Sequence, residues 1–240
     1  MSMFDEEIKN RAYEFARRNK VRIARELADK TKYVPDKFPI SVFMAGSPGA
    51  GKTEFSKSLI QILGKGTERS VVRIDGDEIR SLLPGYTGNN SHLFQGAISQ
   101  VVEKIHDLLL HNNQSFIFDG TFTKYEKAVL NIQRSLNHGR IILIFYVYQK
   151  PDVAWKFTQA REEKEGRNIP KSAFVEEFVS ARETVQKIGD TFKDKVMIFV
   201  VKKDFITNAV ESVNNITIAQ STVDHYIGET YTKDDLEKLL

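Results

Sequence analysis

The sequence predicts an α/β fold, a three-layer α/β/α arrangement around a mainly parallel, doubly wound sheet with added N-terminal helices. Three observations carry that prediction. Short apolar runs recur along the chain with helical stretches between most of them, and such alternation packs as a parallel sheet with crossover helices. The first run, Ile40 to Ala45, leads at once into Gly46-Ser47-Pro48-Gly49-Ala50-Gly51 and then a helix-forming stretch from Lys52 to Leu63, a strand, a turn and a helix in sequence. The length of 240 residues with 41% hydrophobic content suits one sizeable domain, large enough to bury a real core.

Taken in order, apolar residues Ile8, Ala12, Phe15, Ile23 and Leu27 recur at helical spacing, so residues 4 to 32 read as one amphipathic helix or two, ended by Pro35 and Pro39. After the first strand and its helix, strand-like runs follow at Val71 to Asp75, Ser115 to Asp119, Ile141 to Tyr148 and Val196 to Val201. A last strand is expected at Ile216 to Ala219, and a short helix behind Thr232 as its N-cap. The expected organisation is an N-terminal helical segment (1–38), a core (39–205) and a C-terminal extension packed on it (206–240). No repeat or low-complexity segment interrupts this order.

Composition narrows the function. The 35 basic and 32 acidic residues leave a net charge of +3 without a long single-sign block, which suits anionic small ligands and makes nucleic acid an unlikely partner. The absence of cysteine excludes disulfides and Cys-based zinc sites. The acidic start lacks an apolar signal segment, and the longest apolar run, Ile141 to Tyr148, falls far short of the roughly 20 residues of a membrane helix. A cytoplasmic protein without membrane contact is expected.

Gly46 to Thr53 satisfies G-x-x-x-x-G-K-[ST] in full and sits between a strand and a helix, as that motif requires. The fold class thereby sharpens to a P-loop NTPase. Backbone N–H groups from Gly46, Ser47, Pro48's neighbours, Gly49, Ala50 and Gly51 can close around phosphate oxygens, Glu54 continues the first helical turn, Lys52 reaches the β/γ-phosphates and Thr53 ligates Mg²⁺. A chance glycine turn would not call for Lys-Thr after Gly51. The motif identifies a nucleoside triphosphate site for ATP or GTP and leaves the reaction open.

Further residues point to phosphoryl transfer. Asp75 and Asp77 are expected to point the same way at the carboxyl end of the second strand, where α/β sheets bind ligands. Asp77 is assigned as the base that deprotonates an acceptor hydroxyl, and Asp75 to the metal shell; the plainer reading is a solvated turn capping the next helix. The third strand ends in Asp119-Gly120-Thr121, so Asp119 can reach Mg²⁺ through water, unless it is an ordinary Asp-Gly turn. Arg161 and Arg167 lie in a polar segment, Ala160 to Pro170, where cations could cover transferring phosphate, although a solvated charged helix is an equally good local reading.

These residues resemble the zeta toxin family, P-loop kinases of bacterial toxin–antitoxin systems whose known members phosphorylate UDP-N-acetylglucosamine. The resemblance runs from about Val42 to Phe178 and includes the P-loop, Ile74-Asp75-Gly76-Asp77 with Pro84 and Tyr86 behind it, Asp119-Gly120-Thr121, and Arg161 followed by Arg167-Asn168-Ile169-Pro170. It implies catalytic roles for Lys52, Asp77, Arg161 and Arg167, substrate contacts from Asp77, Glu103, Thr121 and Asn131, and Mg²⁺ near Thr53, Asp75 and Asp119. It also implies an antitoxin as a possible partner. Asp119 departs from the Glu frequent there, and Asn131 stands where the family uses Thr against the amino-sugar.

Read locally, Glu103 is a helix-surface acid on the same polar face as Gln100 and Asp107. Arg17, Arg18, Lys20, Arg22 and Arg25 form a polar side of the N-terminal helix that could dock an acidic partner, or simply be solvated. The leading expectation is thus a nucleotide-sugar kinase. A kinase for another small-molecule or nucleic-acid hydroxyl is the first rival, and a nucleotide-regulated binding module without turnover the second.

Overall fold

The computed structural model describes residues 3–65, 70–166 and 169–240. Its elements are α1 (Met3–Leu27), β1 (Ile40–Ala45), α2 (Lys52–Gly64), β2 (Val71–Asp75), α3 (Gly76–Arg80), α4 (Gln95–His111), β3 (Ser115–Asp119), α5 (Tyr125–Asn137), β4 (Ile141–Tyr148), α6 (Pro151–Glu165), α7 (Lys171–Phe192), β5 (Met197–Lys203), β6 (Val210–Asn215), α8 (Val223–Ile227) and α9 (Lys233–Leu239). The six strands lie in the order β2-β3-β1-β4-β5-β6. All neighbours pair in parallel except β5 with β6. This is the doubly wound α/β sheet.

β1 is buried at every position because both sheet faces are covered, which is why it reads as a continuous apolar run. Phe43 and Ala45 face a core shared with α1, α4, α5 and α7, whereas Ile40, Val42 and Met44 pack with Phe55 and Leu59 of α2. On α1 the deepest residues are Ala12, Ala16 and Ala24. Their small side chains bring α1 against α4, where Gln100 donates to the Tyr13 carbonyl.

Three boundaries differ from expectation. α1 stops at Leu27, before either proline, because the Asp29 carboxylate accepts the N–H and hydroxyl of Thr31 and turns the chain. β5 continues to Lys203, two lysines past the apolar run that announced it. The last strand is Val210–Asn215, and Thr217 to Gln220 form a turn instead of the strand expected at Ile216 to Ala219. β6 pairs on one side only and carries polar residues at most positions, so no apolar pattern marks it. Thr232 caps α9 in a capping box with Asp235. No described helix is long and apolar enough to cross a membrane.

The basic face of α1 is exposed and partly tied down within the helix, Arg17 and Arg18 to Glu14 and Arg22 to Glu26.

Candidate active site

At the carboxyl end of β1 the chain turns through the P-loop and enters α2 at Lys52. Two glycines are required by space. Gly46 has φ +136°, and a Cβ there would stand 2.4 Å from the Val147 carbonyl oxygen; at Gly49, with φ +70°, it would stand 2.0 Å from the Ala154 carbonyl oxygen. The Gly46 N–H donates to the Thr121 carbonyl, tying the loop to the exit of β3. No side chain caps α2, so its first N–H groups are presented to an anion. Lys52 donates from Nζ to the carbonyls of Gly46 (2.9 Å) and Ser47 (2.6 Å), arching over the loop.

A cleft of about 470 Å³ opens over this loop, within the size range of small-ligand sites. Pro48, Gly49, Gly51, Lys52, Thr53 and Glu54 line its floor; Asp75, Asp77, Asp119 and Thr121 come from the ends of β2 and β3, and Arg161 from α6. Ser47 and Ala50 are buried behind the loop. Arg167 lies outside the described residues.

Parallel pairing of β2 and β3 sets Asp75 beside Asp119 in register. Arg73 bridges them, its Nη1 lying 2.7 Å from Asp75 Oδ2 and 2.8 Å from Asp119 Oδ2, while Nη2 meets Glu78. Ser56 also donates to Asp119 Oδ2, at 2.9 Å. Burial pulls the Arg73 guanidinium down, but Asp75, Glu78 and Asp119 outweigh it and hold it above its ordinary value. Burial raises the Asp75 carboxyl above the usual aspartate value, against the Asp77 N–H and Arg73, which lower it.

Asp77 does not share a strand face with Asp75. The strand ends at Asp75, whose Oδ1 accepts the Asp77 N–H at 2.8 Å and caps α3, so Asp77 stands on the first turn of a helix. Its Oδ1 takes a 2.7 Å hydrogen bond from Arg80, and its Oδ2 lies 3.6 Å from Arg161. Arg80 is itself buried, its guanidinium over the Tyr86 ring.

The oxygen-rich set around Thr53 and Asp119 fits Mg²⁺, which prefers one or two protein oxygens together with phosphate and water. Among the described residues no group of three or more His, Cys, Asp and Glu side chains could hold a metal by itself. Asp75 enters this set as a helix cap and partner of Arg73, both of its oxygens being engaged.

Glu103 and Asn131 are not among the residues lining the cleft. Glu103 pairs with Arg134 (2.9 Å) and Lys127 (3.5 Å) across α4 and α5, and Asp107 shares Arg134. Asn131 is buried on α5, its Oδ1 without a hydrogen-bond partner among the described residues. Sequence reasoning missed Arg73 and Arg80. A cation inside the short apolar strand at Arg73, and an arginine three residues after Asp77, were the available signals.

The zeta toxin family model matches residues 23–214. Among solved structures the chain is similar to one of the PezAT chromosomal toxin–antitoxin system of Streptococcus pneumoniae, at TM-score 0.70 and 20% identity over 97% of this chain and 94% of that one. It also resembles a chain of the AvrRxo1-ORF1:-ORF2 complex with ATP, at TM-score 0.57 and 16% identity over 90% and 71% of the two chains. A third likeness is to the Pnkp1/Rnl/Hen1 RNA repair complex, at TM-score 0.52 and 24% identity over 64% of this chain and 47% of that chain. No curated protein sequence matches. With its P-loop, its parallel sheet and a family match that spans most of its length, the chain belongs to the zeta toxin family.

Proposed function

We propose that the protein is a kinase that transfers the γ-phosphate of ATP or GTP to a sugar hydroxyl of a nucleotide sugar such as UDP-N-acetylglucosamine. The observation that carries this reading is the placement of Asp77 in the same cleft as the P-loop, its carboxylate steadied by Arg80 and faced by Arg161. A carboxylate beside a triphosphate site is what a hydroxyl acceptor needs and what a simple nucleotide-binding module does not.

In this reading the P-loop N–H groups and Lys52 hold the donor phosphates. Asp77 orients the acceptor hydroxyl and takes its proton, and Arg161 stabilises charge on the transferring group, with Arg167 as the second expected cation. Mg²⁺, when bound beside Thr53 and Asp119, supplies charge neutralisation on the phosphates. Asp75 supports that corner through Arg73 and through the cap that fixes α3. Thr121, which lines the cleft, is the further residue proposed to meet the acceptor.

The position of Glu103 and Asn131 away from the cleft favours keeping a second acceptor class open, another small-molecule or nucleic-acid hydroxyl on the same machinery. An antitoxin protein is proposed as partner on the strength of the family.

Incubation with γ-labelled ATP and UDP-N-acetylglucosamine should give a product heavier by one phosphoryl group by mass spectrometry, and Lys52→Ala should give none while keeping its circular dichroism. ADP formed only with a different acceptor from a metabolite pool would discard the sugar and keep the kinase. Native turnover by folded Lys52→Ala would remove the P-loop from catalysis and with it the proposal.

A further inference from the structure

The sheet order places β3 and β2, which bring Asp119 and lead into Asp77, on one side of the P-loop strand β1, and β4 and β5 on the other. Lys52 serves the β/γ-phosphates. A donor whose γ-phosphate points toward Asp77 therefore extends its nucleoside end toward β5.

Lys203 is the last residue of β5, at the carboxyl edge of the sheet, and is 5% exposed. Its ammonium lies against the P-loop: the point where a Cβ on Gly51 would stand is 3.4 Å from Lys203 Nζ and 3.8 Å from Asn208 Oδ1. Lys203 is not itself among the residues lining the cleft, but Gly51, Glu54 and Asn208 beside it are. The β5–β6 turn that carries Asn208 is held by Gln149, whose Nε2 donates to Asn208 Oδ1 and to the Asp204 carbonyl, and by the Asp204 carboxylate, which accepts from Ile206 and Thr207. The Lys203 side chain makes no hydrogen bond or ion pair among the described residues. Burial lowers its ammonium from the ordinary value, and the charge of Glu54 acts the other way.

A lysine whose stem is buried and whose ammonium faces the phosphate loop without a protein hydrogen-bond partner is suited to an anionic one. The geometry points to Lys203 as a donor-binding residue: its ammonium takes the α-phosphate of the bound nucleoside triphosphate, on the side of the P-loop opposite Asp77. Cation and loop N–H groups would then grip the phosphate chain from both ends, Lys52 at its β/γ portion and Lys203 at its nucleoside-proximal portion.

This inference rests on the P-loop holding a triphosphate, so binding is measured on the full chain without any acceptor. Titrations of the native protein and of Lys203→Met use ATP, GTP and inorganic tripolyphosphate. Loss of a charge-assisted contact predicts roughly tenfold to hundredfold weaker binding in Lys203→Met, of similar size for all three ligands, and Lys203→Arg within about threefold of native. Met keeps the buried stem and removes only a charge that burial disfavours, so the ligand-free variant should be at least as thermostable as native; failure to fold would show that Lys203 is structural and overturn the inference. Unchanged affinities would overturn it too. A change in the ATP/GTP ratio with tripolyphosphate unaffected would make Lys203 a base reader instead, which also refutes it. Failure of the native protein to bind any triphosphate would refute the donor site itself, a result distinct from all of these.

Discussion

Arg73→Met should destabilise the protein through the two acids it leaves behind. The Arg73 side chain is 9% exposed, and the carboxylates it bridges, Asp75 and Asp119, are 12% and 5% exposed. Removing one partner of a buried ion pair costs about 3–5 kcal/mol, because the remaining charge is stranded. Here Ser56 still donates to Asp119 and the Asp77 N–H to Asp75, so the lower end, about 3 kcal/mol, applies. For a chain of this size each kcal/mol shifts Tm by about 2–4 °C, giving a fall of roughly 10 °C. The pH dependence follows from Asp75. Its carboxyl is raised in the fold, so the folded state holds that proton more tightly than the unfolded chain, and the group favours folding below its ordinary value of 3.8 and loses that contribution as pH rises through the folded value. Without Arg73, which lowers it, the folded value rises further. The variant's deficit should therefore be largest near pH 7 and shrink on acidification toward the carboxylate range. Thermal unfolding from pH 7 down to about pH 4, near the ordinary aspartate value, with native protein in parallel, reads both effects. A Tm within about 2 °C of native at pH 7 would show that Arg73 does not neutralise these acids. A deficit that grew on acidification would refute the role given to Asp75.

Asp77→Asn should bind nucleotide nearly as native yet transfer phosphate about 10²- to 10⁴-fold more slowly, since the amide keeps its place beside Arg80 but accepts no proton; equal single-turnover rates would remove Asp77 as base. Arg161→Ala should lower kcat more than it raises the nucleotide KM, because it acts on charge that develops during transfer, and steady-state kinetics with unchanged kcat would return it to a solvated helix. His106 is wholly buried and pushed down to about 3 by burial, with Arg134 and Arg140 adding to it. A depressed value means stability that is present above about pH 6.5 and lost as pH falls toward 3. Urea unfolding at pH 4 should find His106→Leu relieved of about 3 kcal/mol of the native loss, whereas parallel pH curves for the two proteins would contradict it.

Strand positions were the most legible feature. β1, β2, β3 and β4 fall where the apolar runs put them because burial makes most of their positions apolar, while the polar residues they do carry, such as Arg73 and the strand-end acids Asp75 and Asp119, belong to the site. The end of β5 and all of β6 were hidden, since Lys202, Lys203 and the polar edge residues of β6 take part through backbone pairing that side-chain character does not announce. The P-loop was legible for the opposite reason, as each of its glycines answers a local backbone demand. Asp77 does line the cleft, but the period-two argument that aligned it with Asp75 does not apply, since the strand ends at Asp75, which caps the helix that carries Asp77. The partners of Glu103 were not legible at all. Arg134 and Lys127 reach it only because α4 and α5 become neighbours through the strand order, a relation no local pattern contains.

Three arginines also explain how acids can gather at one sheet edge without repelling the fold apart. Arg73 and Arg80 come from the same β2–α3 segment as the acids they serve, so those pairs form as the segment folds, and both arginine side chains are nearly buried. Arg161 differs: it arrives from α6 across the cleft, is 44% exposed, and stands at 3.6 Å from Asp77 instead of in a close bond. A loose, half-solvated pair is worth little to stability. The Arg161–Asp77 contact is therefore the weaker of the two, whereas Arg80 cannot leave Asp77 without stranding a buried charge. In the proposed mechanism a phosphoryl group passing between the loop and Asp77 would draw Arg161 before Arg80, and would so take a positive charge from the carboxylate as it accepts the proton.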